Sequence, residues 1–145
     1  MSLDEAIEHL RADPEQAELV RDAYLGADTA EAAARFEASG EFDEVVRVVG
    51  GFDGRDVLDV GAGTGIASRA IANTGARRVY ALDPDPSELV GRGAMAKLAN
   101  ERIEVLDGVG ESIPLPDESV DVVYGRQVLH HTQDLDAVAR EARRV

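Results

Sequence analysis

Asp59-Val60-Gly61-Ala62-Gly63-Thr64-Gly65 is the stretch of this 145-residue chain best equipped to hold a ligand. Glycine at alternate positions lets the backbone turn sharply and removes Cβ atoms from between chain and ligand. The loop runs into a helix-like segment, whose first N–H groups lack intrahelical acceptors and favour an anionic or carbonyl-rich group. Three glycines in five residues exceed what a bare strand-to-helix turn requires. The dinucleotide fingerprint G-x-G-x-x-G would need glycine at 66, and the residue there is Ile66. The acid at Asp59 would repel a pyrophosphate and attract an ammonium group. The loop therefore suits a zwitterion better than a diphosphate. Asp83 follows Gly61 by 22 residues, near the usual distance for the acid that accepts from both ribose hydroxyls. The competing role, a helix cap, falls to Asp85. Asp83 alone does not separate an adenosyl ligand from NAD.

The elements that must position these residues read as follows. Residues 2–50 are helical: Ser2 with Glu5 has capping-box spacing, and Asp13-Pro14 opens a helix to about Leu25. Asp28 with Glu31 opens an Ala-rich helix to Gly40, and residues 41–49 form another, stopped by Gly50-Gly51. After Gly54 the pattern changes. DVLDV (56–60), VYAL (79–82), IEVL (103–106) and VDVVY (120–124) are short apolar strands. Helices are expected between them over Thr64–Asn73 and from Asp85-Pro86 to about Asn100, with a last one capped by Asp134. Alternation of this kind predicts an α/β fold, with a parallel sheet covered by helices on both faces. The expected division is an N-terminal helical segment, 1–50, and a sheet domain, 51–145. The alternative is that the helices pack on the sheet as one unit.

Composition narrows the function classes. Fifteen basic against 29 acidic residues leave a net charge of −14, which argues against partners that present phosphates, whether nucleic acid or anionic membrane. Fourteen of the 15 basic residues are arginine and only Lys97 is lysine, a balance that fits either a salt-adapted protein or a GC-rich genome. With no cysteine, disulfides, thiolate catalysis and Cys-ligated zinc are excluded. No apolar run of about 18 residues could span a bilayer. The N-terminus lacks the apolar core of a signal peptide, so a cytoplasmic location is the expectation.

At these same residues the chain resembles the class I S-adenosylmethionine-dependent methyltransferases, in particular the type-11 methyltransferase domains. VLDVGAGTG (57–65) resembles that family's first motif, and ALDPD (81–85) the acidic segment that follows it. IPLPDESVDVVY (113–124) and VLHH (128–131) are similar to the segments around its fourth strand. The resemblance covers about residues 45–145. It implies a Rossmann-like sheet of order 3-2-1-4, S-adenosylmethionine as cofactor and a small-molecule methyl acceptor of unidentified kind.

The resemblance also implies roles. Asp59 faces the cofactor's ammonium, directly or through water. Gly61, Gly63 and Gly65 line its amino-acid and ribose portions, Asp83 binds the ribose hydroxyls, and Pro84 borders the adenine. Val109 stands where the family has an aspartate that accepts from the adenine amino group. That leaves Asp107 or Glu111 to substitute, with the Gly110 N–H meeting the ring. Arg126 either lies under the sulfonium, opening towards substrate, or is a solvated loop residue. His130-His131 do not have metal-chelating spacing, and His131 is at most a substrate contact. No metal is expected and no catalytic residue is assigned.

The family continues past Val145 with further strands that complete the sheet, so the resemblance implies a truncated domain. An inactive cofactor-binding module and a nucleotide-dependent oxidoreductase are the alternatives to an active methyltransferase. The apolar strand 120–124 is expected at an uncovered sheet edge, through which two copies can associate.

Overall fold

Short runs rich in valine and leucine, ending at glycine or aspartate, form the strands. The computed structural model describes residues 1–145 and contains β1 (Asp56–Val60), β2 (Arg78–Asp83), β3 (Ile103–Asp107) and β4 (Val122–Gly125). All pairs are parallel and the order is β3-β2-β1-β4, as expected. The register sets Val57 beside Val79 and Val122, and Val60 beside Leu82 and Gly125. Side chains alternate between faces along each strand. Val57, Val79 and Ala81 therefore join one core, and Leu58, Val60 and Leu82 the other.

Helices cover both faces. Before the sheet come α1 (Leu3–Ala12), α2 (Ala17–Asp22), α3 (Thr29–Glu37) and α4 (Gly40–Val49). Between and after the strands lie α5 (Ile66–Asn73), α6 (Arg92–Ala96) and α7 (Leu135–Arg144). Local hydrogen bonds fix their starts: Ser2 and Glu5 form the reciprocal capping box of α1, and Asp28, Ser39 and Asp134 cap α3, α4 and α7. Gly50, at φ +78°, ends α4 in the left-handed conformation. Ala32, Ala33 and Phe36 of α3 and Phe42 of α4 pack with Ala70 and Ile71 of α5 in one continuous core with the sheet. Ile113 and Val145 close the smaller core on the opposite face. The longest helices have 10 residues, and none is long and apolar enough to cross a membrane.

Two expected helices are shorter than the sequence pattern suggests. The segment opening at Asp13-Pro14 is a 3-10 turn (Pro14–Gln16) followed by α2, which stops at Asp22, and Tyr24 adopts φ +57°. Past Pro86, the helix expected from Asp85 to Asn100 is reduced to the five residues of α6. Asp85 accepts from the Ser87 N–H, while the Ser87 hydroxyl oxygen accepts from Leu89 and Val90. These side chains take the N–H groups that a helix would have used, and Gly91 adopts an extended conformation.

β4 is the edge strand, and its outer side pairs with no other strand. It begins later than expected. The Glu118, Ser119 and Val120 N–H groups donate to the carbonyls of Arg144 and Val145, so the end of α7 covers the approach to β4 and only 122–125 run as strand.

Candidate functional site

The C-terminal ends of β1, β2 and β4 open onto one cavity of about 560 Å³, within the ~300–1,000 Å³ usual for small-molecule sites. Asp59, Gly61, Gly63, Asp83, Pro84, Gly110, Glu111 and Arg126 all line it. Gly65 is the one expected site residue outside the lining.

The glycine loop is held by β2. Gly61 and Ala62 both donate to the Leu82 carbonyl, at 2.8 and 3.0 Å, and Gly63 donates to Asp83 Oδ2 at 2.8 Å. All three glycines have positive φ, but their open sides differ. A Cβ on Gly61 would lie 2.2 Å from Val128 Cγ2, and one on Gly65 2.7 Å from Met95 Cγ. A Cβ on Gly63 would meet nothing nearer than 3.6 Å. Packing of the loop therefore requires glycine at 61 and 65, and of the three Gly63 alone has open room beside it.

Beyond the loop, the Thr64, Ile66 and Ala67 N–H groups donate to no protein acceptor, and all three residues line the cavity. They stand at the N-terminal end of α5, where the helix dipole also favours negative charge.

Asp59 is 1% exposed. Two residues beyond Val57 on the same face of β1, it points towards α5, and the Ser68 hydroxyl donates to its Oδ2 at 2.6 Å. Burial pushes the Asp59 pKa up to about 7, against the opposing effect of the Ser68 bond; the Asp83 carboxylate adds to the rise. The acid is thus poised to ionise fully when a cation arrives. Asp83 ends β2 and is also buried. Besides the Gly63 bond, its Oδ1 accepts from the Asp85 N–H at 2.9 Å. Two backbone donors therefore orient the carboxylate, and the lone pairs they leave are available to a ligand. Glu111 accepts from the Gln133 N–H at 2.8 Å, which holds its carboxyl below the usual range. Val109 is 41% exposed and bridges to Ser112. Asp107 binds Arg92 instead of facing the cavity.

Arg126 is not the solvated residue that the sequence allowed. Its Nε donates to Glu41 Oε1 at 2.7 Å and its Nη2 to Oε2 at 3.2 Å. The guanidinium lies 5.3 Å from the Tyr24 ring centroid and 5.2 Å from that of Phe36. It fastens β4 to α3 and α4. His130 and His131 lie in a 3-10 turn with ring centroids 3.9 Å apart, and His131 lines the cavity. Sequence reasoning placed no site residue before Asp59, yet Leu3, Ile7, Tyr24 and Leu25 line this cavity as well. The hydrophobic periodicity of α1 was legible, but not which surface would cover its apolar face.

A family model described as a methyltransferase domain matches residues 58–145. The chain belongs to this family. Among curated relatives, a protein of Mycolicibacterium smegmatis named a "probable S-adenosylmethionine-dependent methyltransferase" is 39% identical over 63% of this chain and 34% of its own length. The ubiquinone biosynthesis O-methyltransferase of Azorhizobium caulinodans is 33% identical over 61% of this chain and 35% of its own. Protein arginine N-methyltransferase 1 of Schizosaccharomyces pombe is 40% identical over 50% of this chain and 22% of its own. The chain thus spans at most about a third of the length of these relatives. The crystal structure of the YcgJ protein of Bacillus subtilis aligns with a TM-score of 0.64 at 27% identity, over 71% of this chain and 44% of that one.

Within the methyltransferase fold, the cavity is where strand ends and helix N-terminus converge, as in open α/β sheets generally. Its donor set fits an adenosyl amino acid. It offers a buried acid for an ammonium, three free N–H groups for a carboxylate, and an oriented carboxylate for a diol.

Proposed function

We propose that this chain binds S-adenosylmethionine in the cavity at the strand ends and takes part in methyl transfer to a small-molecule acceptor. The observation that carries the reading is the Gly63–Asp83 clamp. One loop N–H fixes the carboxylate that would hold the ribose, at the one of the three loop glycines whose Cβ side is open. The relatives' names support the cofactor, and the ubiquinone enzyme supports a small-molecule acceptor.

In this reading Asp59 holds the cofactor's ammonium and the N–H groups of Thr64, Ile66 and Ala67 its carboxylate. Asp83 accepts from the ribose hydroxyls, while Pro84, Gly110 and Glu111 border the adenine. Gly61 and Gly65 keep the loop in shape, and Arg126 borders the site while holding its wall to Glu41. When bound, the cofactor supplies a methyl group activated on a sulfonium. The protein contributes orientation and exclusion of water. Binding of the cationic cofactor favours the ionised form of Asp59, so uptake releases a proton below about pH 7.

The outer side of β4 extends the reading to self-association. Val122–Tyr124 offer unpaired backbone groups without lysine or proline to discourage pairing. The −14 charge opposes contact until salt screens it. Light scattering across a salt series should show dimers or larger species growing with salt; a monomer at every salt concentration rejects this part.

Calorimetry tests the cofactor. S-adenosylhomocysteine should bind more tightly than NAD, because Ile66 occupies the third fingerprint glycine position and Asp59 repels a diphosphate.

A further inference from the structure

The cavity has a second wall that no family motif reaches. Leu3 and Ile7 of α1 and Tyr24 and Leu25 after α2 line it together with the glycine loop. These residues precede the matched segment 58–145 by more than 30 positions. The wall is not a loose flap. Arg11 Nε donates to the Leu25 carbonyl at 2.6 Å, and its Nη2 donates to Gly26 and Leu89. The Ser87 hydroxyl donates to Asp4, tying α1 to the 85–91 loop. Tyr24 is held in left-handed backbone between Arg35, whose guanidinium lies 4.8 Å from its ring centroid, and Arg126, with Phe36 against its edge. A tyrosine at positive φ is strained, and here three neighbours hold it at the rim of a cavity.

Charge distribution separates the two walls. The strand-end wall carries Asp59, Asp83, Asp85 and Glu111. The guanidinium of Arg126 is already paired with Glu41. Once the cofactor's carboxylate takes the Thr64, Ile66 and Ala67 N–H groups, a further anion entering the cavity would meet carboxylates and no uncommitted arginine or lysine. A cation settling against Leu3, Ile7 and Leu25 would lose hydration with no carboxylate on that wall to replace it. What this surface can bind without such losses is apolar and uncharged.

We propose that the N-terminal wall is the acceptor subsite and that it selects an uncharged, largely apolar small molecule, with Tyr24 as its aromatic contact. The inference rests on the strand-end wall holding the cofactor. It assigns to residues 1–26 a role in choosing the acceptor, whereas residues 57–127 hold the cofactor.

Two probes that share one aromatic skeleton test it on the full chain. N-phenyl-1-naphthylamine is uncharged, and 8-anilinonaphthalene-1-sulfonate adds a single negative charge. By fluorescence titration the neutral probe should bind at least about tenfold more tightly. Its affinity should persist when S-adenosylhomocysteine is saturating. Leu3→Asp changes a side chain that is 56% exposed and suits the first turn of α1, so it leaves the fold intact. It should weaken the neutral probe about fivefold or more while calorimetric binding of S-adenosylhomocysteine stays unchanged. Tyr24→Ala should weaken the neutral probe similarly.

Equal or tighter binding of the sulfonate, or neutral-probe affinity unchanged in both variants, overturns the proposal. So does displacement of the neutral probe by S-adenosylhomocysteine, which would make the apolar wall part of the cofactor's own site. If S-adenosylhomocysteine does not bind at all, the cofactor reading fails, and the probe pair still reports whether the wall discriminates by charge.

Discussion

The strand-end wall of the cavity carries Asp59, Asp83 and Glu111, each braced by a hydrogen bond to a neighbouring backbone N–H or hydroxyl. The wall made by α1 and the turn after α2 carries Leu3, Ile7 and Leu25, and its polar bonds, through Arg11 and Asp4, serve to hold it in place. The first wall is built for a polar ligand of fixed shape. It lies within the segment 58–145 that the family model matches. The second is apolar and lies outside that segment. Where the same cofactor recurs across enzymes with different acceptors, such a division is expected. Cofactor contacts are tied to strand ends, and acceptor choice is left to elements the sheet does not dictate.

This contrast predicts that substitutions in the two walls fail in different ways. Gly61→Ala should be the most damaging. Its Cβ would lie 2.2 Å from Val128, in backbone at φ +68°, so overpacking adds to left-handed strain and stability should fall by about 3 kcal/mol or more. Gly63→Ala has no such clash and should cost about 1 kcal/mol, yet weaken S-adenosylhomocysteine binding. Urea unfolding and calorimetry on the pair separate packing from ligand clearance. If both variants unfold alike, the distinction between the two glycines is lost.

Asp59 gives the next largest effect. In the fold its pKa is raised to about 7 from 3.8. The folded chain therefore binds a proton that the unfolded chain releases. This stabilisation is fully present below about pH 4 and is lost as pH rises through about 7. Asp59→Asn keeps an acceptor for Ser68 and should flatten that part of the pH–stability curve. It should also remove any gain in S-adenosylhomocysteine affinity as pH passes 7. A variant with the wild-type pH profile would place the ionisation elsewhere.

Asp83→Ala should weaken cofactor binding about tenfold or more, since charge-assisted bonds contribute ~1.5–3 kcal/mol. It should also cost about 1–2 kcal/mol of stability, because the Gly63 and Asp85 N–H groups lose their acceptor. Outside the cavity lining, Glu41→Gln at the partner of Arg126 should cost about 1 kcal/mol or less, as Glu41 is half-exposed. It should leave cofactor affinity intact. A large loss of cofactor affinity there would mean that the Arg126–Glu41 pair shapes the cofactor site itself. Smallest of all, Val109→Asp should hold or slightly improve S-adenosylhomocysteine affinity, since Val109 is exposed at the cavity. A large loss without unfolding would mean that residue 109 does not face the adenine.

The sheet and the glycine loop were readable because their signals are local. Val57–Val60 is short, apolar and closed by glycine, and Asp83 follows at a characteristic distance. The bonds that organise the site were not readable, because they join distant residues. Ser68 meets Asp59 only once β1 and α5 pack together. Arg126 finds Glu41 across 85 positions. The short α6 shows how local chemistry can mislead. Pro86 and Asp85 look like a helix start, but the Asp85 and Ser87 side chains satisfy the backbone in a turn. The apolar lining by Leu3 and Ile7 depended on where α1 docks, which its own periodicity does not specify. Tyr24 carries no sequence signal for left-handed backbone, since its conformation is imposed by the contacts around it.

Isothermal titration of the 145-residue chain with S-adenosylhomocysteine and, separately, with NAD is the most direct test of the central claim. The buried Asp59, the clamp between Gly63 and Asp83 and the side chain at Ile66 together predict saturable S-adenosylhomocysteine binding that is clearly tighter than any binding of NAD. Equal or tighter binding of NAD would contradict the account.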